Sequence, residues 1–158
     1  MAAEMAGQAE LIVWPLNDLP LFDDDLDTDT PPAPVARFRE AIRDADGLMI
    51  ATPEYNHGMS GVLKNALDWA SRPPATAVLR GKPVLTLSAS RATTGGVRAQ
   101  AQVNETLAAV FARRVLRPQI VIGSAHEKVA DGMLVDRTTI DFVLAGIRDL
   151  LDAIGHGQ

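Results

Sequence analysis

A polar loop, Pro53-Glu54-Tyr55-Asn56-His57-Gly58-Met59-Ser60, is where this chain's residue types come closest to a ligand site. It lies between an apolar run over residues 48–51 and an amphipathic stretch over residues 60–70. Such a loop leaves backbone donors outside regular structure, where an extended planar molecule can use them. A second loop, SASRATTGG over residues 88–96, is rich in hydroxyls and glycine and reads as a second ligand-facing segment. Arg91 and Arg98 border it, and guanidinium forks match phosphate geometry, although plain surface charge is an equal reading of both.

Other chemistries fit less well. Ser88-Ala89-Ser90 lacks the Gly-x-Ser-x-Gly elbow of a nucleophilic serine and has no obvious His base nearby. His57, His126 and His156 show no metal-ligand spacing, and with no cysteine there is no thiolate, so no metal is expected. The acidic run Asp23, Asp24, Asp25, Asp27 and Asp29 lacks the Gly and Glu of a calcium loop and reads as a solvated rim.

The elements that must position these loops follow from periodicity. Residues 10–16 (Leu11, Ile12, Val13 and Trp14, stopped by Pro15) read as a strand covered on both faces. A surface loop rich in Asp and Pro leads to a helix over residues 35–44, with Val35, Phe38, Ala41 and Ile42 inward and Arg37, Arg39, Glu40 and Arg43 outward. Strand 48–51 precedes the polar loop. Helix 60–70 follows it, with Ser60 as N-cap and Leu63, Ala66, Leu67 and Ala70 on a buried stripe. Residues 83–88 and 119–122 read as further buried strands. Between them a helix is expected over residues 97–116, with Val103, Leu107, Val110 and Phe111 inward. Asp131-Gly132 marks a turn between short extended pieces, and residues 138–154 form the strongest amphipathic helix, stopped by Gly155.

Apolar strands alternating with amphipathic helices make a doubly wound α/β domain with a parallel sheet in three layers. Ligands of that fold sit outside the carboxyl ends of the strands, where both loops must lie. One domain over residues 1–158 is expected from the length. A net charge of −5 gives no footprint for nucleic acid. The apolar runs are far shorter than the roughly 20 residues of a membrane span, and no signal-peptide pattern opens the chain. A cytoplasmic protein is the default expectation.

ATPEYN over residues 51–56, followed by SGVLKNALDW over residues 60–69, closely resembles the NADPH-dependent FMN reductases, a group that includes quinone, azo-dye and chromate reductases. DLPLFDDDL over residues 18–26, Ser88-Ala89-Ser90 and GGVRAQ over residues 95–100 agree in order and spacing. The resemblance implies a flavodoxin-like sheet that binds FMN, takes NADPH as co-substrate, and assembles as a homodimer or homotetramer. It implies that Pro53, Glu54, Tyr55 and Asn56 contact the flavin ring, largely through backbone groups, and that Ser88, Ser90 and Gly95 close its other side. The implied partner is a small-molecule electron acceptor such as a flavin, a quinone or an azo compound. No catalytic residue is assigned, Glu54 included, because the cofactors carry hydride chemistry and the protein supplies alignment. A flavodoxin-like electron carrier, or an interaction module without turnover, is the alternative.

Relatives begin with a buried strand and a Gly-Ser-x-Arg-x-x-Ser type loop that holds the FMN phosphate at a helix N-terminus. Residues 1–7 match only the tail of that helix, and residues 10–14 correspond to the second strand of the order 2-1-3-4-5. The sheet is therefore expected to lack its first strand. Either the start was placed at an internal Met, or this is a true fragment that pairs its second and third strands directly or borrows a strand. Without phosphate hydrogen bonds, each contributing about 1.5 to 3 kcal/mol, the chain is expected to bind FMN weakly. A submicromolar dissociation constant in a direct titration would contradict that expectation.

Overall fold

The computed structural model describes residues 9–155. Its sheet is built from β1 (Leu48–Pro53), β2 (Pro83–Ala89) and, along the far edge of β2, β3 (Arg113–Arg114) and β4 (Ile120–Ile122). Every pairing in it is parallel: Leu48↔Val84 through Pro53↔Ala89, Pro83↔Arg113, and Leu87↔Ile120 through Ala89↔Ile122. Four helices connect and cover it: α1 (Ala33–Asp44), α2 (Gly61–Ala70), α3 (Val97–Ala109) and α4 (Arg137–Gly155). The short hairpin β5 (Val129–Ala130) and β6 (Met133–Leu134) turns at Asp131-Gly132, as the sequence signal required.

Alternation along the strands divides the core in two. Leu48, Ile50 and Val84 pack with α1, α2 and α3, through Val35, Phe38, Ile42, Leu63, Leu67, Trp69, Val103 and Leu107. Met49, Leu85, Leu87, Ile120 and Ile122 pack on the opposite face against Val143, Leu144, Ile147 and Leu150 of α4. This is the expected flavodoxin-like, doubly wound, three-layer arrangement. β1, β2 and the β3/β4 pair take the positions of the third, fourth and fifth strands of the anticipated order. The outer edge of β1 has no ladder partner among the described residues.

The structure corrects several expectations. Residues 10–16 form no strand; Leu11, Ile12 and Val13 are exposed and make no ladder bonds, and a β-strand exists only through such bonds. Trp14 rests near Phe38 of α1 at 6.4 Å, and Leu16 packs on the first core. The helix tail expected over residues 1–7 lies outside the described residues. α3 ends at Ala109 rather than continuing to residue 116. Phe111 adopts a left-handed φ of 59° and Ala112 N–H bonds back to Leu107 O, which turns the chain into β3. Phe111 is therefore outside the core, under the Arg80 guanidinium at 4.5 Å. Arg39, expected outward, is buried: its Nε donates to Trp69 O at 2.9 Å and its Nη2 pairs with Asp27 at 2.6 Å. Asp27 is thus a buried partner and not part of a solvated rim. Ser60 occupies the N-cap position of α2 but makes no side-chain cap bond.

Residues 115–119 bulge out between β3 and β4, opposite only residues 85–86 of β2. The fully buried Gln100 of α3 closes this break, its Nε2 donating to Thr86 O at 3.0 Å and to Ile120 O at 3.2 Å. Asp136 caps α4 by accepting from the Thr139 hydroxyl and, at 2.9 Å, from the Thr139 N–H.

Two stability measurements check this packing. Leu107→Ala removes a fully buried side chain from the first core and should cost about 2 to 5 kcal/mol in denaturant unfolding. Asp136→Ala removes the α4 cap and should lower the unfolding midpoint in the same assay, by less than Leu107→Ala does.

Candidate functional site

β1 and β2 finish side by side, Pro53 opposite Ala89, so the loops that follow them leave the sheet together. In the first loop Tyr55 and Gly58 exchange backbone hydrogen bonds at 3.0 and 2.9 Å. The two residues between them, Asn56 (φ 50°) and His57 (φ 66°), are both left-handed, the pattern of a type I′ turn. This turn uses the N–H groups of Tyr55 and Gly58, while those of Asn56 and His57 make no hydrogen bond among the described residues. Tyr55 is 64% exposed beside them. The base of the loop is held by buried Thr52, whose hydroxyl donates to Pro53 O at 2.8 Å and accepts from Ser60 N–H at 3.4 Å. Met59 N–H donates to Gln102 Oε1 of α3 at 2.9 Å.

The second loop is built from beneath. Ser88 is fully buried, and its hydroxyl donates to Gly95 O at 2.8 Å. Ser90 N–H donates to Ile122 O, its carbonyl accepts from Ala125 N–H, and its hydroxyl accepts from Ala92 N–H. Gly95 has φ 62°, and a Cβ there would meet the backbone nitrogens of Ile122 and Gly123 at 2.9 and 2.8 Å. Gly123 is equally constrained, because a Cβ on it would collide with Thr93 O. The seven residues expected at the site all lie at this one end of the sheet. Pro53 closes β1, Glu54, Tyr55 and Asn56 form the first loop, Ser90 and Gly95 belong to the second, and Ser88 supports it from below.

Sequence reasoning missed the third wall, Gly123-Ser124-Ala125. Ser124 N–H bonds to Ala92 O, and the segment clamps the second loop. The sequence alone could not show this neighbour, because the contact joins residues more than 30 positions apart.

Glu54 carries the main electrostatic feature. Its Oε2 accepts from the N–H groups of Arg98 and Ala99 at 3.0 and 3.3 Å, and its Oε1 lies 3.4 Å from an Arg98 guanidinium nitrogen. The Glu54 side chain is 9% exposed and that of Arg98 54%. Burial alone would raise the Glu54 pKa. The N–H groups of Ala99 and Arg98 and the Arg98 charge together outweigh it and hold the carboxyl below its ordinary value.

A parallel three-layer sheet with two loops converging at its carboxyl edge, one of them lined by glycine, defines a flavodoxin-like domain, and that edge is where ligands of such folds bind. The comparisons with known proteins place it more narrowly. Residues 1–127 match the family described as NADPH-dependent FMN reductase, and the chain belongs to that family. It is 44% identical over 122 residues to an NAD(P)H-dependent FMN reductase of Pseudomonas aeruginosa, covering 77% of this chain and 65% of the relative. It is 40% identical over 127 residues to a quinone reductase of Escherichia coli K12, covering 78% and 67%. The chain thus spans about two-thirds of the length of these relatives. Its fold superposes on FerB, a flavoenzyme NAD(P)H:(acceptor) oxidoreductase of Paracoccus denitrificans, with a TM-score of 0.85 at 31% identity, covering 98% of this chain and 85% of that one.

Two outcomes follow from the site's geometry. Gly95→Ala forces a side chain into a left-handed, crowded position and should cost about 1 to 3 kcal/mol in thermal or denaturant unfolding. A carboxylate with a depressed folded pKa adds stability above its unfolded pKa and loses it as pH falls through the folded value. Glu54 should therefore contribute stability at neutral pH that disappears on acidification below its ordinary value of 4.5. Comparing unfolding midpoints of wild type and Glu54→Gln across that range checks the sign. Asp136 is held low by its Thr139 hydrogen bonds and supplies an acid-sensitive part common to both proteins.

Proposed function

We propose that this chain, one domain over residues 1–158, works in NAD(P)H-dependent reduction through FMN, with a quinone, flavin or azo compound as the small-molecule acceptor. The observation that carries this reading is the pairing of the Tyr55–Gly58 turn, with its free Asn56 and His57 N–H groups, and the glycine-lined loop over residues 90–96. A flat ring system fits such a crevice, since one wall offers backbone donors and the other admits close approach where a Cβ would block it.

FMN, when bound, supplies the hydride-accepting and electron-donating chemistry. The chain's own residues align it. Pro53, Glu54, Tyr55 and Asn56 would line one side of the ring, largely through backbone groups, and Ser88, Ser90 and Gly95 would shape the other. NADPH and the acceptor would use one shared open face beside these loops. The relatives named as FMN reductase and quinone reductase support this substrate class. A homodimer or homotetramer in the cytoplasm completes the reading.

The test is a titration of this chain with FMN, followed by flavin fluorescence, together with NADPH consumption in the presence of menadione. Saturable quenching with FMN-dependent NADPH oxidation is the expected result. Absence of NADPH oxidation at saturating FMN would overturn the reductase reading. FMN binding under those conditions would instead fit an electron carrier, which draws on a separate reductase.

A further inference from the structure

Glu54 belongs to the first loop, yet its carboxylate makes its hydrogen bonds to the start of the helix that follows the second loop. The helix it reaches, α3, begins after Gly95-Gly96 and has no side-chain cap of its own, because its N-cap residue is Gly96. Glu54 fills that role from 44 residues upstream, with Oε2 accepting from both Arg98 N–H and Ala99 N–H. The other end of the same loop is also fixed to α3, by Met59 N–H on Gln102 Oε1 at 2.9 Å. The two attachments lie about one helical turn apart, and the Tyr55–Gly58 turn projects between them.

We propose that Glu54 is a positioning residue that fastens the first loop to the start of α3 and so fixes how the two ligand-facing loops sit relative to each other. The ligand part of this proposal rests on the FMN reading, whereas the fastening does not. Gly96 belongs to the same contact: a Cβ there would lie 3.0 Å from the Ser88 Cβ and 3.5 Å from that of Glu54. A local helix cap would order only α3. A fastening that joins the first loop to α3 also orders the turn carrying the free Asn56 and His57 N–H groups.

Hydrogen exchange and FMN affinity of Glu54→Ala, Glu54→Gln and wild type separate the two cases. In Glu54→Ala the amides of Arg98 and Ala99 should exchange faster, and those of Tyr55 and Gly58, which do not touch the carboxylate, should follow. FMN affinity should fall about tenfold or more, the scale of hydrogen bonds to a charged group. Glu54→Gln should recover most of that loss, since one amide oxygen can take the place of Oε2 and accept from both N–H groups. Faster exchange confined to Arg98 and Ala99, or wild-type FMN affinity in Glu54→Ala, would overturn the proposal. If wild type itself binds no FMN, the FMN reading fails, and exchange at Tyr55 and Gly58 alone decides the fastening, faster supporting it and unchanged overturning it. Should Glu54→Ala not fold, Glu54→Asp, whose carboxylate is one methylene too short to span the gap, gives the same exchange comparison.

Discussion

The parallel register between β1 and β2 is the constraint on which the rest of this structure depends. Pairing from Leu48↔Val84 to Pro53↔Ala89 brings both strands to their carboxyl ends at the same level. A shift of one residue would move every side chain of β1 to the opposite face and disrupt both cores at once. With the register fixed, the two loops have to emerge side by side. The site is therefore a consequence of sheet geometry before it is a consequence of any polar contact.

Polar contacts then refine what the sheet brings together. α2 follows the first loop directly, and its position is fixed by Trp69, which is fully buried, donates from Nε1 to Pro20 O at 2.8 Å, and meets Phe22 edge-on at 4.9 Å. Asn65 adds two bonds to the same upstream segment, accepting from Phe22 N–H and donating to Pro20 O. Arg39 closes the group by bonding Trp69 O and Asp27. Leaving such a cation buried without partners would cost several kcal/mol, so the Asp27 pairing and the path of the acidic loop go together. α3 supplies the second frame, with Gln100 bridging the break in the sheet and Gln102, Arg98 and Ala99 holding the first loop.

Much of this was legible in the sequence. The helical stripe Leu63, Ala66, Leu67 and Ala70 and the α4 stripe from Val143 to Leu150 are buried as periodicity requires, and the strands expected over residues 48–51, 83–88 and 119–122 appear as β1, β2 and β4. So does the Asp131-Gly132 hairpin. Periodicity failed where it lacked information about neighbours. Leu11 to Trp14 has strand composition, but it joins no ladder among the described residues. The apolar Val110 and Phe111 suited a continuing helix, yet the backbone at Phe111 turns left-handed so that Arg113 and Arg114 can join β2. Arg39 read as a surface residue because its partners, Asp27 and Trp69 O, come from other segments.

By itself the sequence determined the fold class, the family and the segments that meet at the site, because hydrophobic period and local motif are properties of neighbouring residues. It named Pro53 to Asn56 and Ser88 to Gly95 as one site without showing how they are joined. Only the tertiary structure decided that Ser88 works from beneath, that Gly123 to Ala125 forms a third wall, and that the Glu54 carboxylate spends its bonds on Arg98 and Ala99. Those are contacts between residues far apart along the chain. Their geometry exists only once the parallel register has brought them within hydrogen-bonding distance.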